Sequence, residues 1–168
     1  MGTIETLMTA PVRDWRVVLA KFFGAFVFYA TLWLPSMLYF WIFQMVANRN
    51  AATAFSSYVG AYAIVALVGL FYLSIGCLAS ALTQNQIVAA IAAFTLICSM
   101  FFVNMLSLLF RTTSPILQEI TYYFSTTEHM SEFSRGLLDT RPVVFYLSMT
   151  AFTLFLTLHV FQYRRWKK

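Results

Sequence analysis

The stretch that decides the fold runs from Tyr58 to Leu82 and reads YVGAYAIVALVGLFYLSIGCLASAL. It contains no Asp, Glu, Lys or Arg. A helix needs about 20 apolar residues to cross a hydrocarbon core about 30 Å thick, and this stretch meets that length. Strands of membrane barrels are about 10 residues long and alternate in polarity, which this stretch does not do. It therefore predicts a membrane-spanning helix.

Three further stretches of the same kind lie on either side of it. They run from about 22 to 46, from about 87 to 110 and from about 142 to 161, and none contains an Asp, Glu, Lys or Arg. The predicted fold class is therefore all-α, a polytopic membrane helical bundle with four transmembrane helices. Pro35 falls inside the first span, where the loss of a backbone hydrogen bond should kink the helix.

The composition agrees with a protein embedded in a lipid bilayer. Of the 168 residues, 61% are hydrophobic and 10% are charged, whereas a soluble domain carries about 25% charged residues. The mean hydropathy is +0.75. These values exclude an ordinary soluble globule, and they exclude a disordered chain, which has low hydrophobicity and high net charge.

The positive charges predict the orientation of the chain. There are 11 Lys and Arg residues against 6 Asp and Glu residues, and most of the cations lie at the two chain ends. Basic ends that flank apolar spans follow the positive-inside rule, so we expect a multi-pass protein with both termini in the cytoplasm and no nucleic-acid partner. These terminal cations are Arg13, Arg16, Lys21, Arg164, Arg165, Lys167 and Lys168.

No pattern in the sequence predicts catalysis or a bound cofactor. A Gly-rich phosphate loop, a Ser/His/Asp arrangement and an HExxH motif are all absent from the sequence. Glu128, His129 and Glu132 lie close together, and we expect a solvated polar face there rather than a metal site, which usually needs more ligands. Any energy for work must therefore come from elsewhere.

Small residues in the second span predict close helix packing. Ser74, Gly76 and Ser80 offer small surfaces that allow another helix to approach. Cys77 and Cys98 both fall inside apolar runs, so packing is expected for them rather than a disulfide.

The N-terminal segment is too polar to span. Ile4, Leu7 and Met8 recur at helical spacing and predict a short amphipathic helix that Pro11 ends. Asp14 can cap the next helix. Such a helix either floats at the membrane interface or docks on a cytoplasmic partner.

The linker from 111 to 141 has a pattern of its own. Ser114-Pro115 is a good helix start, and Thr126 or Thr127 can begin a second short helix with Met130, Phe133 and Leu137 on one side and Gly136 near its end. The two helices either lie on the outer surface or form a re-entrant hairpin, which survives only where protein buries it.

Three segments of the chain resemble one family of membrane proteins. They are GTIETLMTAPV at 2–12, SALTQNQIVAA at 80–90, and FSRGLLD at 133–139 followed by the last span and RRW at 164–166. The first is similar to the cytoplasmic coupling segment of ABC type-2 exporter permeases, and the second to their tight cytoplasmic turn. The third resembles the C-terminal end of the branch associated with gliding motility, which is also similar to permeases linked to copper-enzyme maturation.

The resemblance implies a function and partners. The chain would be a permease subunit that couples ATP hydrolysis by a separate ATPase subunit to export across the bacterial inner membrane. It would pair with a second permease subunit, as a homodimer or a heterodimer, and ATP would bind only to the partner ATPase. Family permeases have six spans, so residues 1–168 would be a partial transmembrane domain with the last four spans.

The resemblance also implies two sites. Residues 1–16 would be the coupling segment, with ATPase-coupling residues Thr3, Ile4, Glu5, Leu7 and Met8. The linker 111–141 would be an outer re-entrant hairpin that acts as a gate, with candidate residues Pro115, Glu119, Tyr123, Glu128, Phe133 and Arg135.

Two other classes of function compete with the permease. One is a membrane scaffold or anchoring subunit that transports nothing, and the other is an integral membrane enzyme. An enzyme needs polar catalytic groups at membrane depth, and the spans hold no ionisable residue apart from His159. An ABC ATPase reading frame directly upstream would favour the permease over the scaffold.

Overall fold

A computed structural model describes residues 13–47, 55–109 and 125–166. Every regular element in these ranges is a helix, so the predicted all-α polytopic bundle is confirmed. The elements in chain order are α1 (Asp14–Trp33), a 3-10 turn (Leu34–Met37), α2 (Leu38–Ala47), α3 (Phe55–Leu82), α4 (Gln86–Leu109), α5 (Thr126–Ser134) and α6 (Thr140–Trp166).

Three stretches of helix are long and apolar enough to cross a membrane. They are Asp14–Met37, Ser56–Leu82 and Thr140–Tyr163. The helix α4 has 24 residues, so it is about 36 Å long and matches a bilayer core in length. Its apolar stretch Gln86–Phe102 is shorter than the other three. All four predicted spans therefore coincide with helices, and the crossing by α4 stays a prediction.

The helix α1 begins one residue earlier than predicted. Its N-cap is Arg13, whose backbone is extended, and Asp14 is already helical in the first turn. The predicted cap at Asp14 was therefore wrong by one position. The carboxylate still lies at the positive end of the helix dipole, where an acidic side chain is stabilising.

The predicted break at Pro35 is confirmed. The backbone changes there from α-helix to the 3-10 turn, and Pro35 lies in its first positions. The Ser36 hydroxyl donates to the Trp33 carbonyl at 2.6 Å and lies 2.8 Å from the Tyr62 hydroxyl. Because the serine has one proton to give, Tyr62 is the donor in the second bond. The turn is thus held both to α1 and to α3.

The helix α3 is at the centre of the described bundle and packs against α1, α4, α5 and α6. Its core face repeats at helical spacing, and Phe133 from α5 and Tyr146 from α6 pack onto it. Cys77 on α3 is buried and Cys98 on α4 is half-buried, and both are free thiols. The α3 residues of this core are Ile64, Val68, Phe71 and Ile75.

Three hydrogen bonds, two from α1 and one from the 3-10 turn that follows it, show that α1 and α3 are antiparallel. Residue numbers rise along α1 as they fall along α3, in the pairs Lys21–Ser80 at 2.7 Å, Tyr29–Val65 at 3.1 Å and Ser36–Tyr62 at 2.8 Å. The start of α1 and the end of α3 therefore share one end of the bundle, which we call the Lys21 end. The opposite end is called the α5 end.

The helix α6 runs parallel to α3. Leu138, just before α6, lies beside Gly60 near the start of α3, and the Tyr146 ring lies 6.2 Å from the Phe71 ring further along. The end of α6 is therefore at the Lys21 end, together with the start of α1. A chain that crosses a membrane an even number of times has both of its ends on one side. The shared position of the start of α1 and the end of α6 agrees with that.

Candidate gating and coupling segments

The helix α5 is short and has well-formed ends. Ser125 caps its start by accepting a hydrogen bond from the Glu128 backbone N–H at 3.3 Å. Gly136 follows its end with a φ of +81°. The N–H groups of Leu137 and Gly136 donate to the carbonyls of Glu132 and Phe133 at 3.2 and 3.0 Å, which is a Schellman motif that requires a residue tolerant of positive φ.

The helix α5 runs antiparallel to α3 and lies alongside its first turns. Gly136 packs against Ser56, where the candidate α3 span begins. The Phe133 carbonyl lies directly against Gly60, one turn further into α3. His129 is seven residues before Gly136, so it lies about 10 Å deeper along the helix axis. The start of α5 therefore lies closer to the middle of the bundle than the residue at which the α3 span begins.

This placement agrees with the second leg of a re-entrant hairpin. The first leg was predicted around Pro115, Glu119 and Tyr123, which are outside the described residues. The hairpin as a whole therefore stays a prediction. Among the other predicted gate residues, Phe133 is buried in the core with 1% of its surface exposed, Glu128 is half-buried, and Arg135 is exposed at the C-cap.

The buried face of α5 differs from the predicted one. We predicted Met130, Phe133 and Leu137 on one apolar side, but Met130 is 41% exposed and Leu137 is 63% exposed. The buried side chains are His129 and Phe133, which are four residues apart and therefore share a face. The prediction was wrong because it followed apolar side chains alone and placed His129 on a solvated polar face. Hydrogen bonding allows this histidine to be buried.

Tyr146 on α6 holds the buried histidine. Its hydroxyl lies 3.3 Å from His129 Nδ1, and the two rings meet edge to face with centroids 5.8 Å apart. Tyr146 is 1% exposed and His129 is 4% exposed. One hydroxyl therefore joins the first turn of α5 to α6 in a site without water access.

Burial controls the charge of this histidine. Removal from water lowers the pKa of His129, and the carboxylates of Glu132, Asp139 and Glu128 oppose that shift without reversing it. The neutral imidazole is favoured, because a charged ring in this position would lose its hydration. In the neutral form one ring nitrogen donates and the other accepts, which suits the contact with Tyr146.

Two residues of this site were not singled out for it from the sequence. Gly60 and Tyr146 entered the sequence analysis only as parts of the predicted spans. A small residue one turn inside a span is an indication of close backbone approach, and a tyrosine among apolar residues needs a partner for its hydroxyl. Neither feature identifies the partner, because α5 is distant in sequence.

The predicted small packing surface of α3 is confirmed in part. Ser74 is fully buried and Ser80 accepts a hydrogen bond from Lys21. The prediction that another helix approaches closely at Gly76 was wrong, since a Cβ there would have nothing within 4 Å. The close approaches occur instead at Gly60 and at Gly69, where the Tyr29 ring lies against the bare backbone.

The helix α6 carries hydroxyls along its buried face. Thr150, Thr153 and Thr157 are buried, and each donates to the carbonyl four residues earlier at 2.7 to 2.8 Å. They extend the stripe that begins with Tyr146. Their protons are used within α6, so these hydroxyls are not donors to α3.

The Lys21 end contains the tight turn between α3 and α4. Thr83 Oγ1 donates to the Asn85 carbonyl at 3.1 Å, and Asn85 Oδ1 accepts from the Ile87 backbone N–H at 2.9 Å. The asparagine therefore caps α4, as Asx side chains do at helix starts. The predicted tight turn is confirmed. The predicted coupling residues Thr3, Ile4, Glu5, Leu7 and Met8 lie outside the described ranges.

The described ranges offer no arrangement for metal chemistry. No group of three or more His, Cys, Asp or Glu side chains in them is placed to hold a metal ion. The described residues form a bundle of apolar helices with the short helix α5 docked at one end. The helix α1 begins at the other end, the Lys21 end.

These features define a polytopic helical membrane protein with a short helix inserted beside its spans. A family model described as ABC-2 family transporter protein matches residues 1–166. The chain belongs to this family and is a membrane-embedded permease component of an ABC transporter, and the family implies an ABC ATPase subunit as its partner. Searches of curated proteins and of solved structures find no significant match in either set.

Proposed function

We propose that the chain is the permease subunit of an ABC exporter of the bacterial inner membrane. In this role it couples ATP hydrolysis by a separate ATPase subunit to the export of a substrate. The observation that carries the proposal is the match of the ABC-2 family along residues 1–166. The resemblance of the motif at 133–139 and of the basic end of the chain supports the proposal that it belongs to the gliding-motility branch.

The coupling step starts with the segment before α1. Thr3, Ile4, Glu5, Leu7 and Met8 would sit in a groove of the ATPase, with Glu5 as a polar contact. Their movement reaches the membrane through α1. Because two hydrogen bonds join α1 to α3 and a third joins the 3-10 turn after α1 to α3, the two helices move as a pair.

The gating step uses α5. Its close contacts with α3 are at Gly60 and at Gly136, both at the α5 end. A displacement of α3 therefore reaches α5 without an intermediate element. We assign α5 as the described leg of an outer hairpin that opens and closes the path, with Phe133 as its anchor in the core.

The orientation and the assembly belong to the same proposal. Both chain ends would face the cytoplasm, because most of the cations lie there and cytoplasmic flanks carry excess Lys and Arg. The α5 end would then face the periplasm. A second permease subunit, identical or different, would complete the path, and each permease would dock on one ATPase.

Recovery of the ATPase from native membranes tests the proposal. The tagged chain is extracted in mild detergent, and the co-purified ATPase is quantified by mass spectrometry. Glu5→Ala and Leu7→Ala should each lower ATPase recovery several-fold. Leu137→Ala is the matched control, since Leu137 is an exposed leucine at the opposite end.

Two outcomes would contradict the proposal. Full ATPase recovery with both coupling variants would remove the docking role of the segment. Recovery of an ATPase whose hydrolysis rate is the same with and without the permease would favour the scaffold, the alternative in which the chain anchors a complex and transports nothing.

A further inference from the structure

Lys21 lies at the end of an open strip on α1. Gly24, Phe28 and Leu32 follow it at spacings of three and four residues, so the four positions share one side of the helix. A Cβ at Gly24 would have nothing within 4 Å. Phe28 is 67% exposed and Leu32 is 63% exposed. The strip is therefore a bare backbone patch beneath a cation, continued by two exposed apolar side chains.

The ammonium of Lys21 is held in place at the top of this strip. It donates to Ser80 Oγ at 2.7 Å, and Ser80 lies two residues before the end of α3. An ammonium has three N–H donors, so Ser80 orients the group and leaves donors for an anion. Lys21 thus lies at the level where the apolar helices end.

The charge around Lys21 favours an anion. Arg13 and Arg16 precede it on α1 and are exposed, and Asp14 is the only carboxylate among residues 13–47. From Arg13 to Lys21 the helix rises about 12 Å, which covers the headgroup layer of about 5 to 8 Å on each side of a bilayer. Arg16 is stacked 5.4 Å from the centroid of the Trp15 ring, and its position is about 140° around the helix from Lys21.

We infer that Lys21, Ser80 and the strip Gly24–Phe28–Leu32 form a binding site for one anionic phospholipid. The headgroup phosphate binds the Lys21 ammonium, and an acyl chain lies along the bare backbone at Gly24 and between Phe28 and Leu32. A free phosphate would use only the cation, and an acidic protein segment would gain nothing from an apolar strip that runs toward the membrane centre. A lipid matches both parts, and the site does not depend on the export role.

Native mass spectrometry of the purified full chain tests the site. The protein is reconstituted with equal amounts of phosphatidylglycerol and phosphatidylcholine, and the bound lipids are counted. Wild type should retain phosphatidylglycerol in preference. One cation near a membrane surface is worth about a fivefold preference, so Lys21→Gln should lower the ratio about fivefold and Lys21→Arg should keep it. Gly24→Leu should reduce retention of both lipids, because the leucine side chain would cover the bare backbone of the strip.

The control variant is Arg16→Gln, which removes the same charge from the same turn region of α1 but off the strip. It should leave the ratio unchanged. Equal losses in Lys21→Gln and Arg16→Gln would mean a diffuse electrostatic attraction and would overturn the site, as would equal retention of both lipids by wild type. Displacement of bound phosphatidylglycerol by inorganic phosphate alone would also overturn it. A thermal transition recorded for each variant confirms that it is folded.

Discussion

Replacement of Gly60 by alanine tests the docking of α5 more directly than any other single change. A Cβ at this position would overlap with the carbonyl oxygen of Phe133 and lie 3.1 Å from its carbonyl carbon. Both are backbone atoms of α5, so they cannot rotate away as a flexible side chain would. The same Cβ would lie 3.6 Å from Cδ2 of Leu138, so there is no free space on that side either. The variant must therefore move α5 away from α3.

The expected cost follows from the steric overlap. Forcing an extra carbon into a packed contact costs about 1 to 3 kcal/mol. The better helix propensity of alanine does not offset this cost, because α3 is helical whether α5 is docked or not. The loss in docking free energy is therefore about 1 to 3 kcal/mol, which raises the undocked fraction of α5 about 5- to 150-fold.

Hydrogen exchange of the backbone amides of residues 126–136, in nanodiscs at fixed pH, measures this fraction. Gly76→Ala is the matched control on the same helix, because a Cβ there has nothing within 4 Å. We expect exchange in α5 to rise about 5- to 150-fold in Gly60→Ala and to stay at the wild-type rate in Gly76→Ala. Equal exchange in the two variants would refute the packing argument and with it the role of Gly60.

Three further changes have defined outcomes. Because burial lowers the pKa of His129, undocked α5 binds more protons, so docking should be constant above about pH 6.5 and weaken as pH falls below it. Exchange of α5 corrected for intrinsic rates measures this, and His129→Gln should remove the dependence. Tyr146→Phe should speed exchange in α5, since His129 loses a buried partner at a cost of about 1 to 3 kcal/mol. Tyr29→Phe removes the bond to the Val65 carbonyl, and it should lower thermal stability in detergent by about 1 kcal/mol and leave α5 exchange unchanged.

The features that were predicted correctly depend on local chemistry. Helices coincide with the four apolar stretches because the hydrocarbon core sets a minimum length for an apolar run. The helix changes at Pro35 because proline lacks an N–H, whatever surrounds it. The turn at Thr83 and Asn85 forms because both side chains bond to backbone groups within four residues. No distant residue is needed for any of these.

The features that were missed depend on contacts between distant segments. Gly60 and Gly76 are both glycines in one apolar helix, and only the position of Phe133 distinguishes them. His129 was placed on a polar face because its own helix is polar, whereas Tyr146, seventeen residues later, makes its burial favourable. Local periodicity predicts which apolar side chains are buried. It does not predict which distant residue supplies a hydrogen-bond partner such as the Tyr146 hydroxyl.

The distribution of hydrogen bonds indicates how a movement would pass through the described bundle. Side-chain bonds cross to α3 from α1 at two levels and from the 3-10 turn at a third, and one hydroxyl, that of Tyr146, joins α5 to α6. The buried threonines of α6 bond to their own helix, so they stabilise α6 without tying it to α3. The contact between α3 and α5 depends on shape, with glycine against backbone. In the proposed coupling, a displacement that enters at α1 would pass to α3 through these bonds and would reach α5 at Gly60, where the Phe133 backbone leaves no space for a methyl group.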